Sequence, residues 1–291
     1  IVPDLYWDNY ELLFEEAYGG TLTTFPMFAD GAFNVPDMER LLLAPGDKKI
    51  LLLNFPNNPT GYTATHADTA AICAALRRAA EAGKRLVVIL DDAYFGLVYE
   101  PGVSKESLFT ELADMHERLL AVKLDGPTKE DYVWGFRIGF ITFGAKGATP
   151  TQLKALEAKA AGVVRGSISN ASSVSQYLLL KAYGLPAYAE QKQTKFTLLE
   201  RRYRRIKDIL AAHPEYAESF VPMPFNSGYF MCVKPVGVDP EALRKHLLAT
   251  KGTGVIVLSG LIRLAFSAVP CHRLDDLFAN LHAAVRELKR G

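Results

Sequence analysis

Short apolar runs that end in polar or glycine-rich turns alternate with helical stretches through the first half of the chain. Residues 50–54, 85–91, 119–124 and 136–143 read as strands, and residues 68–82 and 105–116 as helices between them. That alternation predicts an α/β unit built on a mostly parallel mixed sheet flanked by helices, with reactive side chains in the loops at the carboxyl ends of the strands. Helical patterns then fill 150–164, 171–183 and 188–212. In the last of these Phe196, Leu199, Tyr203, Ile206 and Leu210 recur at spacings of three and four, which makes one packing face. Arg201, Arg202, Arg204 and Arg205 lie between them and read as a solvated face. Beyond this helix the pattern becomes mixed: strands at 228–233, 255–258 and 262–266, helices at 240–249 and 274–288. This predicts a second, smaller α+β unit.

Composition narrows the picture. A chain of 291 residues, 49% hydrophobic, can bury a sizeable core. With 33 basic and 32 acidic side chains it has no electrostatic reason to seek nucleic acid or an anionic membrane, so small molecules are the expected partners. The apolar runs are strand-sized and too short to span a bilayer. Cys73, Cys232 and Cys271 are odd in number, far apart and lack Cys-x-x-Cys spacing. Neither a disulfide framework nor a zinc site is expected, and a reducing, cytoplasmic compartment fits. No metal motif, Gly-x-Ser-x-Gly elbow or dinucleotide loop is present, and nothing converges on Cys271-His272.

The candidate chemistry centres on residues 127–139, Pro-Thr-Lys-Glu-Asp-Tyr-Val-Trp-Gly-Phe-Arg-Ile-Gly, where Lys129 precedes Arg137 by eight residues and Gly135 and Gly139 flank the arginine. A lysine held near a fixed cation, where glycine lets the backbone approach a ligand, suits an aldehyde cofactor that carries a phosphate. Upstream stand Asn54-Phe55-Pro56-Asn57-Asn58-Pro59-Thr60-Gly61 and Asp91-Asp92-Ala93-Tyr94. In this order and spacing the three segments resemble the class I and II aminotransferases, the aspartate aminotransferase superfamily of fold-type-I pyridoxal-phosphate enzymes. The resemblance runs from Trp7 to Arg263.

The resemblance implies a pyridoxal 5'-phosphate enzyme acting on an amino acid and a 2-oxo acid, a homodimer, and two domains. These would be a large cofactor domain over residues 1–190 and a small one over 191–291, joined by the long helix. It implies that Lys129 holds the cofactor as an imine and moves a proton, that Asp91 pairs with the ring nitrogen, and that Tyr94 and Asn58 bond the phenolic oxygen, with a cis Asn58-Pro59 bond. Arg137 and Thr128 would hold phosphate, and Trp7 would stack on the ring, with core packing an equal reading for the tryptophan. Arg263, a charge in an apolar strand, would take the substrate α-carboxylate. Arg165, five residues before Asn170, matches an arginine that reaches a substrate side-chain carboxylate from the other subunit; a plain surface role stands equally. Lys123 lacks the spacing to Arg137, and the spacing to Tyr94 selects Asp91 over Asp92. Gly126 and Thr128 stand where many members have serines. The match begins almost at the first residue, where relatives already have a segment behind them that carries a phosphate-binding loop. The chain therefore reads as N-terminally truncated and is expected to hold the cofactor poorly alone. Two further readings stay open: a lyase or decarboxylase using the same residues, and the ligand-sensing aminotransferase-like domain of a transcriptional regulator.

Overall fold

The computed structural model describes residues 1–290. Three strands, β1 (Lys48–Asn54), β2 (Arg85–Asp91) and β3 (Leu119–Asp125), pair in parallel, and β4 (Phe140–Ala145) closes the edge antiparallel to β3. The register sets Asn54 opposite Asp91 and Asp91 opposite Leu124, so the carboxyl ends of the three parallel strands finish in one row. Parallel strands require crossovers. The first is made by α2 (His66–Glu81), whose start is fixed by a capping box between Thr65 and Asp68. It buries Ile72, Ala75, Leu76, Ala79 and Ala80, small and aliphatic residues that let it lie close on the sheet. An earlier helix, α1 (Val35–Leu43), packs beside it.

Two helices, α3 (Pro150–Ser167) and α4 (Ser173–Tyr183), lead to the long α5 (Tyr188–Ala212). A second four-stranded sheet follows, made of β5 (Phe220–Pro222), β6 (Met231–Pro235), β7 (Ile256–Leu258) and β8 (Leu261–Leu264). Its order is β7-β8-β6-β5, antiparallel throughout. It packs with α6 (Pro240–Lys251), α7 (Leu274–Arg290) and the buried stripe Leu199, Tyr203, Ile206 and Ile209 of α5. Tyr94, Leu97 and Tyr99, which follow β2, belong to this second core rather than to the first. The two sheets are joined further by the Asn226 side chain, which accepts the Thr63 amide on Oδ1 (2.8 Å) and donates through Nδ2 to the Thr63 carbonyl (2.9 Å). The result is the α/β architecture with a mixed sheet expected from the alternation.

Several details differ from expectation. The helix expected over 105–116 is a single turn, Phe109–Leu112, because Ser107 ends the preceding loop by accepting the Phe109 amide on its hydroxyl (3.1 Å). The strand expected from 136 starts at Phe140, since Trp134–Phe136 form a 3-10 turn and Arg137 adopts a left-handed backbone (φ 53°). The one cis peptide bond among the described residues is Phe55-Pro56, not Asn58-Pro59. Arg202 and Arg205 are not merely solvated: the first bonds the Ser267 carbonyl and the second pairs with Asp275. The sequence reading passed over α1, although Asn34 accepting from the Asp37 amide, with Pro36 in the first turn, is a legible start signal.

Candidate active site

The row of strand ends builds the site. Asn54 donates through Nδ2 to the Asp91 carbonyl (2.7 Å) and accepts the Asn58 amide on Oδ1 (2.8 Å), tying the end of β1 to β2 and to the turn that follows. Within that turn Asn57 Oδ1 accepts both the amide and the hydroxyl of Thr60 (3.0 and 2.7 Å), an Asx-type closure. Gly61 has a positive φ of 72°, and a Cβ there would lie 1.9 Å from the Phe230 carbonyl oxygen, so the second sheet can approach only because this residue is glycine. The approach brings Arg263, in the middle of that sheet between β6 and β7, to Asn58. Its Nη1 donates to Asn58 Oδ1 (2.9 Å), its guanidinium lies 4.5 Å from the Phe230 ring centroid, and its buried Nε has no partner.

Asp91 ends β2 with both carboxylate oxygens engaged. Oδ1 accepts the Ala93 amide (3.1 Å) and Oδ2 accepts the Tyr10 hydroxyl (2.5 Å). Burial, then the Asp91 charge, pushes the Tyr10 phenol far above its usual range, so the proton stays on Tyr10. Sequence reading missed Tyr10. Its signal was the position three residues after Trp7, in the turn where its amide bonds the Trp7 carbonyl (2.9 Å). Trp7 itself is 39% exposed and packs edge-on against Tyr10 (centroids 5.7 Å apart).

Lys129 lies just past β3 in the one-turn helix Pro127–Glu130. Its Nζ is 4.9 Å from the Tyr94 ring centroid, and its carbonyl accepts the Tyr229 hydroxyl (3.0 Å). Burial holds the ammonium below the usual lysine range, with Asp91 opposing that shift and Arg137 adding to it. Tyr94 is buried against Tyr229 and Phe230, and burial pushes its phenol up to about 12. A cavity of about 330 Å³ is lined by Asp91, Gly126, Thr128, Lys129 and Gly139 among others. Gly126 has no room for a side chain, because a Cβ would fall 2.8 Å from the Ile138 carbonyl oxygen.

The rival residues point elsewhere. Lys123 pairs with Asp125 and sits over the Phe95 ring. Asp92 is buried beside a separate small cavity with Thr63 and Ser107, and burial raises its carboxyl to about 6. Asp91, Lys129, Tyr94, Asn58 and Arg263 are thus brought together, with Thr128 on the cavity wall. Arg137 is exposed and donates to the Trp134 carbonyl (3.1 Å). Arg165 lies outside this hydrogen-bonded cluster, at the exposed end of α3, where it bonds the Ser169 hydroxyl (2.6 Å).

Among solved structures, an aminotransferase from Anaerococcus prevotii superposes with a TM-score of 0.83 at 22% identity, over 98% of this chain and 69% of its own. An aromatic aminotransferase from Pyrococcus horikoshii gives 0.78 at 19%, over 99% and 73%. Both establish the fold. In sequence, the chain is 28% identical to the aspartate/prephenate aminotransferase of Cereibacter sphaeroides over 99% of its own length and 67% of that protein. It spans about half (52%) of an aspartate aminotransferase from Geobacillus stearothermophilus, at 27% identity. The family described as aminotransferase class I and II matches residues 1–281, and the chain belongs to that family.

Proposed function

We propose that this protein moves an amino group between an amino acid and a 2-oxo acid, using pyridoxal 5'-phosphate held at Lys129. The observation that carries the reading is one amine of lowered proton affinity, Lys129, lining the same cavity as a carboxylate held by two donors, Asp91, with a cation of unmet bonding capacity, Arg263, close to Tyr94 and Asn58. The residues fit the cofactor: an amine for its aldehyde, a carboxylate for its ring nitrogen, and Thr128 and Arg137 for its phosphate. When bound, the cofactor supplies an aldehyde that accepts amino groups and a ring that withdraws electrons.

The chain's own residues do the rest. Tyr10 and the Ala93 amide both donate to Asp91 and fix its orientation; a carboxylate there would pair with the cofactor's protonated ring nitrogen. Lys129, less basic than an exposed lysine, can release and recapture a proton more readily than one. Arg263 offers a planar fork, and the unpartnered Nε awaits an acceptor that a substrate carboxylate would provide. Asn58 orients that fork from Oδ1 and keeps its amide nitrogen for the cofactor's phenolic oxygen, beside Tyr94. Trp7 is assigned to the ring face. Residues 1–190 would carry the cofactor and 191–291 the substrate arginine. In this reading the protein is a cytoplasmic homodimer in which Arg165, bonded to Ser169 in its own chain, serves a second copy's site. No described helix is long and apolar enough to cross a membrane. Names of the related proteins favour amino transfer over elimination, decarboxylation or ligand sensing. Borohydride reduction with pyridoxal phosphate, followed by peptide mapping, should mark Lys129, and a donor screen should then yield 2-oxo acids. A mark on Lys123 in place of Lys129 would refute the assignment.

A further inference from the structure

The two residues after Lys129 are both acidic, and the structure gives them an unusual set of partners. Asp131 has only 5% of its side chain exposed, and it accepts from two tyrosines: Tyr183 at the end of α4 donates to Oδ2 (2.7 Å), and Tyr188 at the start of α5 donates to Oδ1. The two rings meet edge to face, 5.1 Å apart. Lys192, one turn further along α5, reaches both Asp131 (3.1 Å) and Glu130 (2.7 Å). Burial together with the Asp131 charge pushes the Tyr188 phenol up to about 12 and that of Tyr183 higher still, so both remain donors.

These contacts matter because α4 and the first turns of α5 have few others. α4 buries only Leu179, and the buried stripe of α5 begins at Leu199. On the opposite side, the Lys129 carbonyl is held by the Tyr229 hydroxyl, from the segment leading into β6 (3.0 Å). The backbone then turns sharply at Tyr132 (φ 59°), whose amide also reaches the Lys129 carbonyl (3.3 Å). A four-residue helical turn holds its shape weakly by itself. Here its carbonyl is fixed from one side and its outgoing end from the other.

We propose that Asp131 is a positioning residue for Lys129: through Tyr183, Tyr188 and Lys192 it clamps the lysine's turn to the α4–α5 corner and holds the amine in its half-buried place. The inference rests on the proposed role of Lys129 only for its catalytic meaning; the clamp itself is a property of this chain. It also links the amine to the helix that leads into the second sheet, so displacement of α5 would be felt at Lys129.

The test reads Lys129 directly, without cofactor. Competitive acetylation across pH, followed by mass spectrometry of the Lys129 peptide, gives that one amine's titration midpoint and its plateau labelling rate. The charged groups that act on it, Asp91 and Arg137, are untouched by the variants. In Asp131→Asn and in the Tyr183→Phe/Tyr188→Phe double variant, Lys129 should leave its desolvated position. Its midpoint should rise toward that of an ordinary lysine, and labelling at pH 7 relative to its own plateau should fall by roughly threefold or more. The tyrosine variant keeps both rings and guards against a misfolded Asp131→Asn. An unchanged Lys129 midpoint in a folded double variant, even with a lower melting temperature, would overturn the proposal and leave the cluster purely structural. If borohydride fixes pyridoxal phosphate to Lys123 rather than Lys129 while the midpoint still moves, the clamp stands and the cofactor assignment falls.

Discussion

Helices α2 and α3 begin alike and end up in opposite circumstances. Both start at a threonine in a complete capping box, Thr65 with Asp68 and Thr149 with Gln152, and they are 16 and 18 residues long. Yet α2 buries five side chains against the sheet and α3 buries none; Val163 and Val164 on α3 and Ile168 just beyond it are exposed, as are Phe140 and Ile141 on the neighbouring edge strand. Capping decides where a helix starts and contributes about 1 kcal/mol. What anchors it is the apolar area it removes from water. The same contrast runs through the molecule: the end of the sheet that meets β6 and β8 carries buried hydrogen bonds, while the β4–α3 side leaves several apolar side chains exposed.

If the chemistry belongs to the dense end, Lys129→Ala should abolish amino transfer, a loss of at least about 10²–10⁴-fold, with the fold kept. Circular dichroism and a coupled transaminase assay would check both halves, and retained turnover would break the comparison at its functional root. Next in size, Leu76→Ala on α2 should cost about 2–5 kcal/mol in urea unfolding, whereas Val163→Ala on α3 should stay within about 0.5 kcal/mol. Equal losses would mean that α3 is packed after all.

Asp92 sharpens the contrast by pH. Its folded carboxyl titrates at about 6, above the ordinary value of 3.8, with Oδ2 unpartnered. The folded state therefore binds a proton that the unfolded state has released between those two values. Stability drawn from this group is full below about pH 4, declines as pH rises toward 6 and is gone above it. Asp92→Asn should raise stability at pH 7 by up to about 3 kcal/mol and flatten that slope, as melting curves from pH 4 to 8 would show. Smallest is Gly126→Ala, whose Cβ would press on the Ile138 carbonyl: about 1–3 kcal/mol of stability lost, read from thermal melts, with weaker cofactor binding in proportion.

Much of this was legible in the chain itself. Strand-length apolar runs gave β1, β2 and β3 nearly to the residue, and the three- and four-residue spacing gave α5 and its packing face, because period and burial are properties of local sequence. The motif order singled out Lys129, Asp91, Tyr94, Asn58 and Arg263 before any of them had a position in space. Other features belonged to tertiary structure alone. That Asn58 meets Arg263 across 205 residues depends on two sheets closing over Gly61, and no window of sequence contains both. Tyr10 became the partner of Asp91 only when an N-terminal turn folded onto a strand end 81 residues away. The acidic pair after Lys129 has its partners only because α4 and α5 bring two hydroxyls and an ammonium to it. Sequence sets local conformation and which groups are available. Which groups meet, and how far from water, is decided by long-range packing, and the strength of every charge and hydrogen bond in the site depends on that.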